Sequence, residues 1–442
     1  MPAPQANLAG RDPRVAACRV VQGVLEGRSL AELVPRLIAP IEDGRDRALA
    51  QELSYGAVRL QPRLGSLLGR LLERPLKARD RDLEALLLIG CYQLLYLRMA
   101  EHGAVHATVG AAQKLGKRWA AGLVNGVLRR LQREREALLA ALESDQEARY
   151  AMPRWLLNEL QQRWPESWQE RIAALNGYPP MTLRVNRLQS TREAYLERLT
   201  AAGIAAAPHA VASMGIVLER PMEVERLPGF AGGMVSVQDA AAQLAAELLD
   251  PAPGEAVLDA CAAPGGKTAH LLERQPELRV TAVDIDGERL ERVAENLARL
   301  GLRAELLQGD ASRPEGEWAR RRYDRILLDV PCSATGVLRR HPDIKLLRRE
   351  SDIGALAKLQ RRILEGVWPL LRPGGVMLYA TCSLLSREND EPLAHFLAGR
   401  GDAVERPIPA GWGEARPVGR QIPPGESGMD GFFYALLEKR WG

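Results

Sequence analysis

Aromatic residues make up 5% of the 442 residues, with only four phenylalanines, so any core must be built mainly from aliphatic side chains. Cysteine is as sparse. The five, at positions 18, 91, 261, 332 and 382, are odd in number and scattered, with no C-x-x-C pair. That pattern argues against a disulfide framework or a zinc site, leaves no metal to expect, and fits a reducing compartment. Long apolar runs are missing too: the most apolar stretch, LEALLLIGCYQLLYL, is too short for a bilayer and carries Glu84 and Gln93. The opening MPAPQANLAGRDPRVAAC has no extended apolar segment of the kind a secretion signal needs. A cytoplasmic protein with no membrane partner is expected. Internal repeats and low-complexity tracts are also absent. The net charge of +4 is small, which permits a nucleic-acid partner without showing one. Arg outnumbers Lys, which suits phosphate binding and equally suits a GC-rich genome.

What is present falls into three textures, too long a chain for one core. Residues 1–143 read as helix after helix. RVAACRVVQGVLEG, LAQELSYGAVRLQPRLGSLLGRLL, DLEALLLIGCYQLLYL, AVHATVGAAQKLG and AAGLVNGVLRRLQRE each keep apolar residues on one face, with Gly and Pro between them. Lys114, Lys117, Arg118, Arg129, Arg130 and Arg133 cluster near the end of this all-α part, as a solvated face or as a nucleic-acid surface. Residues 144–238 mix a helical pair, MPRWLLNELQQRWPESWQERIAALN, with the short strands MTLRVN, GIVLE and GMVSVQD and one amphipathic helix, a small α+β linker region. From residue 239 to 442, apolar strands alternate with helices, from EAVLDAC through RVTAVDID, AELLQGD, YDRILLDVPC and GVMLYATCS to FFYALLEKRW. That alternation predicts an α/β, Rossmann-like, mostly parallel sheet, with its ligand beyond the carboxyl ends of the strands.

The distinctive residues fall at those ends. DACAAPGGKT, Asp259 to Thr268, is a Gly-rich turn between strand and helix, where backbone N–H groups can approach a ligand. It imitates a P-loop, but that motif needs Gly five residues before Gly266, where Cys261 stands; nor is it G-x-G-x-x-G. The next strands end at Asp284, Asp310 and Asp329. Asp284 is placed to accept hydrogen bonds from ribose hydroxyls, and Asp310 to meet an adenine amino group. Three such carboxylates after one Gly-rich turn fit an adenosine-containing ligand without a pyrophosphate, with S-adenosyl-L-methionine the leading candidate.

Two cysteines share this edge, in LLDVPCSATG and LYATCSLLS. The C5 atom of a pyrimidine is a poor nucleophile until something adds to C6, and a thiolate is suited to that addition. After methyl transfer the C5 proton must leave and the covalent bond must break, which calls for a second acid–base group. Cys332 and Cys382 together suggest covalent catalysis on a base. Cys18 and Cys91, on apolar helix faces, read as core residues.

The series DACAAPGGKT, VDID, GDA, LLDVPCSATG with RRHPDIK, and YATCSLLSREND resembles the RNA cytosine-5 methyltransferases of the Sun/Fmu type. The N-terminal region resembles a NusB-like RNA-binding domain, and the likeness extends over essentially the whole chain. It implies three parts: a NusB-like helical RNA-binding domain over 1–143, the α+β region over 144–238, and a class I SAM-dependent methyltransferase domain over 239–442. It implies Cys382 as nucleophile, Cys332 as the residue assisting product release, and Asp329 between cofactor and cytosine. It implies a cofactor site made by Cys261, Ala262, Ala263, Pro264, Gly265, Gly266 and Lys267 with Asp284, Asp310 and Asp329; Lys267 faces either the base or the cofactor's carboxylate end. The implied substrate is 16S ribosomal RNA, at cytosine 967, and the implied state a monomer. Arg339, Arg340, Lys345, Arg348 and Arg349 in LRRHPDIKLLRRE are expected to hold RNA phosphates. Two other readings stay open: the same chemistry on transfer RNA or DNA, and a non-catalytic RNA-binding or antitermination factor.

Overall fold

Helices in the first part begin where the sequence supplies caps. The carboxylate of Asp12 accepts from the N–H groups of Arg14 and Val15 ahead of helix Pro13–Leu25, and Asp43 does the same for helix Gly44–Arg59. The computed structural model describes residues 12–441; the first part of MPAPQANLAGRDPRVAAC lies outside the described residues. Two units form: one comprises the chain to Gly177 with Leu338–Glu350, the other Tyr178–Val337 with the chain from Ser351 onward.

The first unit is all helix. The long apolar-faced stretch around residue 60 is two helices, Gly44–Arg59 and Gln61–Leu71, because Pro62 fits the first turn of a new helix rather than the interior of an old one. A further helix, Leu30–Leu37, tolerates Pro35 and was not legible from periodicity. Leu53, Leu67, Leu86, Val124 and Leu128 lie in one apolar core with Cys18 and Cys91. Burial pushes the Cys91 thiol up to about 12 and raises Cys18 further, so both are packing residues, inert as thiols. The basic cluster is largely compensated: Lys117 pairs with Asp80 and Asp82, Lys114 with Asp12, and Arg130 with Glu134.

Leu338–Glu350 corrects an expectation. Lys345 is 3% exposed, and its ammonium donates to the carbonyls of Arg59 and Ala151 and to the Asn176 side chain. Arg339 is buried as well, and its carbonyl accepts from Arg59. Asp343 accepts from the Leu30 N–H at 2.9 Å. These residues hold the segment inside the helical unit, so Lys345 and Arg339 are not free to meet phosphates. Burial, then the Arg59 charge, draws the Lys345 pKa down to about 7.

The second unit holds two sheets. β1 (Thr182–Val185), β2 (Ala206–Pro208), β3 (Gly215–Leu218) and β4 (Val235–Val237) form an antiparallel sheet in the order β2-β3-β1-β4, with helix Arg192–Ala201 supplying Tyr195 and Leu199 to its core. The larger sheet comprises β5 (Ala256–Asp259), β6 (Arg279–Asp284), β7 (Glu305–Gln308), β8 (Tyr323–Asp329), β9 (Leu371–Thr381), β10 (Ala403–Arg406), β11 (Glu414–Ala415), β12 (Arg420–Ile422) and β13 (Phe432–Lys439). Its order is β11-β12-β13-β9-β8-β5-β6-β7, with β10 beside β13. β5 to β9 are parallel; β13 runs antiparallel to β9. The order reverses between β5 and β8, where a crevice opens at the carboxyl ends of the strands.

Candidate active site

The Gly-rich turn follows β5. Gly265 takes φ +91°, and a Cβ there would come within 2.9 Å of Val293, so glycine is needed on both counts. Helix Gly266–Arg274 starts at once, and the Thr268 hydroxyl donates back to Asp259 at 2.6 Å. Asp259 is fully buried, and burial pushes its carboxyl up to about 7. Asp284, ending β6, accepts from the Ala263 N–H at 3.0 Å and the Asp286 N–H at 3.1 Å, locking the turn against the second strand. Asp310 accepts from the Ser312 N–H at 2.8 Å. Asp329, ending β8, accepts from Lys267 Nζ at 2.5 Å. Burial is the largest single influence and lowers the Lys267 pKa, but the charge and hydrogen bond of Asp329, with the Cys382 and Asp259 charges, together outweigh it and hold the proton on.

β8 and β9 are parallel neighbours, with Asp329 opposite Ala380. Cys332 and Cys382 therefore emerge from the same edge a few residues later, and their sulfurs are 3.5 Å apart. Gly336 closes the loop after Cys332: its N–H donates to the Cys382 carbonyl at 2.8 Å, and a Cβ would collide with Gly431. Contact with Cys382, then burial, raises the Cys332 pKa well above the ordinary thiol value. Cys332 is thus held as a thiol facing the Cys382 sulfur.

A cavity of about 310 Å³ lies among these strand ends. Cys261, Ala263, Asp284, Asp310, Asp329, Cys332 and Cys382 are among the residues that line it. Ala262, Pro264, Gly265, Gly266 and Lys267 are not on its wall; they shape the turn, and Lys267 reaches Asp329. Sequence reading missed Arg289, whose guanidinium lines the cavity and donates to the Ala263 carbonyl at 3.0 Å. It missed Arg184 as well, a fully buried guanidinium on β1 that pairs with Glu273 at 2.8 Å and donates to the Gly266 carbonyl at 2.8 Å. Its one signal was a charge inside the otherwise uncharged strand MTLRVN. Among the described residues no His, Cys, Asp and Glu cluster could hold a metal, and no helix is long and apolar enough to cross a membrane.

A glycine turn after the first strand, acidic ends on the next ones and an antiparallel final strand define a Rossmann-like class I methyltransferase. The 16S rRNA methyltransferase RsmB/F family matches residues 246–438, the RsmF/B-like ferredoxin-like domain residues 152–225, and the NusB family residues 11–133. The ribosomal RNA small subunit methyltransferase B of Pseudomonas syringae pv. tomato is 52% identical, over 97% of this chain and 97% of its own. The chain belongs to the ribosomal RNA small subunit methyltransferase B family. Among solved structures, PH0851 superposes with a TM-score of 0.81 over 99% of this chain and 100% of its own, at 23% identity, a likeness of fold alone. A methyltransferase homolog from Pyrococcus horikoshii shows 27% identity and a TM-score of 0.58, covering 67% of this chain and 98% of its own.

The family's cofactor is S-adenosylmethionine, and the cavity fits it. Asp284 and Asp310 offer carboxylates for ribose and adenine polar groups, while Ile285, Leu359 and Ile363 offer an apolar wall, the mix that small-ligand sites use.

Proposed function

We propose that this chain, acting as a monomer in the cytoplasm, methylates C5 of one cytosine in 16S ribosomal RNA, position 967, through a covalent bond between Cys382 and C6. The observation that carries this reading is the pair of sulfurs 3.5 Å apart on the wall of the cofactor cavity. S-adenosylmethionine supplies an electrophilic methyl group, with Asp284, Asp310 and the Cys261–Lys267 turn holding it. Asp329, anchored by Lys267, accepts from the amino edge of the cytosine. The Cys382 thiolate forms the S–C6 bond, and ring electrons pass to C5, which would take the methyl group and leave S-adenosylhomocysteine. Once Cys382 is a thioether, the contact that most raises the Cys332 pKa is altered and the Cys382 charge is gone, which leaves burial as the remaining main influence. Cys332 can then ionise and take the C5 proton as the S–C6 bond breaks and the Cys382 thiolate leaves.

The division at 143/144 and 238/239 remains our reading of the parts, with the NusB-like part contributing RNA affinity rather than chemistry. The test is methyl transfer from radiolabelled S-adenosylmethionine to 16S ribosomal RNA, with transfer RNA and DNA alongside, and bisulfite mapping of the product. Label at a single cytosine of 16S RNA is expected. Label confined to transfer RNA or DNA would overturn the substrate, and no label on any of them would favour a binding factor.

A further inference from the structure

Glu388, in the short turn Ser386–Glu388 after β9, is fully buried and does not line the cofactor cavity. Its Oε1 accepts from the Ser333 N–H at 2.8 Å and from Gln360 Nε2 at 3.1 Å. Its Oε2 accepts from the hydroxyls of Ser333 and Ser383, each at 2.5 Å. Four donors match the four lone-pair sites of a carboxylate, so no acceptor capacity is left for other work. Ser333 follows Cys332 in the chain, and Ser383 follows Cys382. Gln360 also donates to the carbonyl of Pro331, the residue before Cys332. One carboxylate therefore grips both residues that follow the cysteines, and a side chain that touches the residue before one of them.

Burying an anion is costly unless every site is satisfied, and an apolar side chain would have packed the same space more simply. An apolar side chain could not have fixed two loops by directional bonds of charge-assisted strength. We propose that Glu388 is a positioning residue that sets the separation and facing of the Cys332 and Cys382 sulfurs. It touches neither sulfur; it acts through the two serines. The inference rests on the reading that both cysteines act in the reaction.

The test measures the sulfur geometry directly, without RNA. An azodicarboxamide oxidant accepts two hydrogens from a pair of thiols, becoming the hydrazine as the disulfide forms. In the wild type it should link Cys332 to Cys382 rapidly, read by peptide mass. E388Q keeps the shape but points an amide N–H₂ at donors, and should slow this cross-link about tenfold, since disulfide formation tolerates little misplacement. It should lower kcat about thirtyfold while leaving KM for RNA and calorimetric affinity for S-adenosylmethionine near wild type, as misplacement on the ångström scale does. E388D, which restores the carboxylate, should recover part of both. Should E388Q fail to bind S-adenosylmethionine and so report misfolding, Ser333→Ala and Ser383→Ala each remove one grip, and each should slow the cross-link. Wild-type cross-linking in folded E388Q, or in both serine variants, would overturn the proposal whatever happens to kcat. A wild type that cross-links rapidly yet methylates no RNA would instead overturn the functional reading.

Discussion

The helical unit and the large sheet both bury ionisable side chains, and they do so with opposite consequences. In the helical unit, Cys91 has its pKa raised by burial alone, and Lys345 sits among neutral carbonyls whose geometry it completes. Nothing near either group is placed to react. In the sheet, Lys267 is held by Asp329, and Cys332 is governed first by its contact with Cys382. There each shifted group contacts a partner, Asp329 or Cys382, that lines a cavity, the arrangement in which perturbed ionisation accompanies chemistry. Depth of burial does not distinguish a site from a core; mutual dependence of charged groups beside open space does.

The comparison breaks most severely at Cys382. Cys382→Ala should cut methyl transfer roughly ten-thousandfold or more, the scale of losing a nucleophile, measured as initial rate on 16S RNA. Activity within tenfold of wild type would return the sheet cysteines to the same class as Cys91. Next comes Asp329→Asn, which loosens Lys267 and the proposed hold on the cytosine edge. It should lower kcat/KM about 100-fold, the scale of removing one preorganised polar contact, with the unfolding midpoint little changed. Asp284→Ala removes the proposed ribose acceptor and frees the Ala263 N–H, a loss of about 1–3 kcal/mol. Calorimetry with S-adenosylmethionine should then show Kd rising roughly 5- to 150-fold.

The helical unit should respond in stability and not in chemistry. For Lys345 the folded pKa of about 7 lies below the unfolded value of 10.5. Folding therefore releases a proton between these values. The contribution is fully present above 10.5, declines as pH falls, and is lost below 7. Wild-type stability by urea unfolding should rise by up to about 1.4 kcal/mol per pH unit inside that window from this group, and Lys345→Met should lack that slope. The smallest effect is Cys91→Ala: about 1 kcal/mol of stability lost, with methyl transfer unchanged.

How much of this the sequence carries depends on how local each signal is. The strand ends at Asp284, Asp329 and Cys382 were legible because an apolar run followed by a turn residue marks a strand whatever lies around it. The helical division at Pro62 was legible in principle, since proline punctuates locally. Lys345 was not: a lysine among arginines in RRHPDIKLLRRE has the same composition whether it faces solvent or three oxygen acceptors in a helical core. Arg184 and Glu388 were hidden for the same reason. Among their partners, Glu273 lies 89 residues from Arg184 and Ser333 lies 55 from Glu388, and no spacing rule connects a buried charge with acceptors or donors that only the fold brings to it.

The central claim is that the two sheet cysteines divide one reaction between them, Cys382 making the bond to RNA and Cys332 enabling its release. Incubation of Cys332→Ala with 16S RNA and S-adenosylmethionine, followed by a denaturing gel, tests it most directly. A retarded protein–RNA band should accumulate in Cys332→Ala and be absent from Cys382→Ala and from the double variant. A band that forms in Cys382→Ala and not in Cys332→Ala would exchange the two roles and contradict the account.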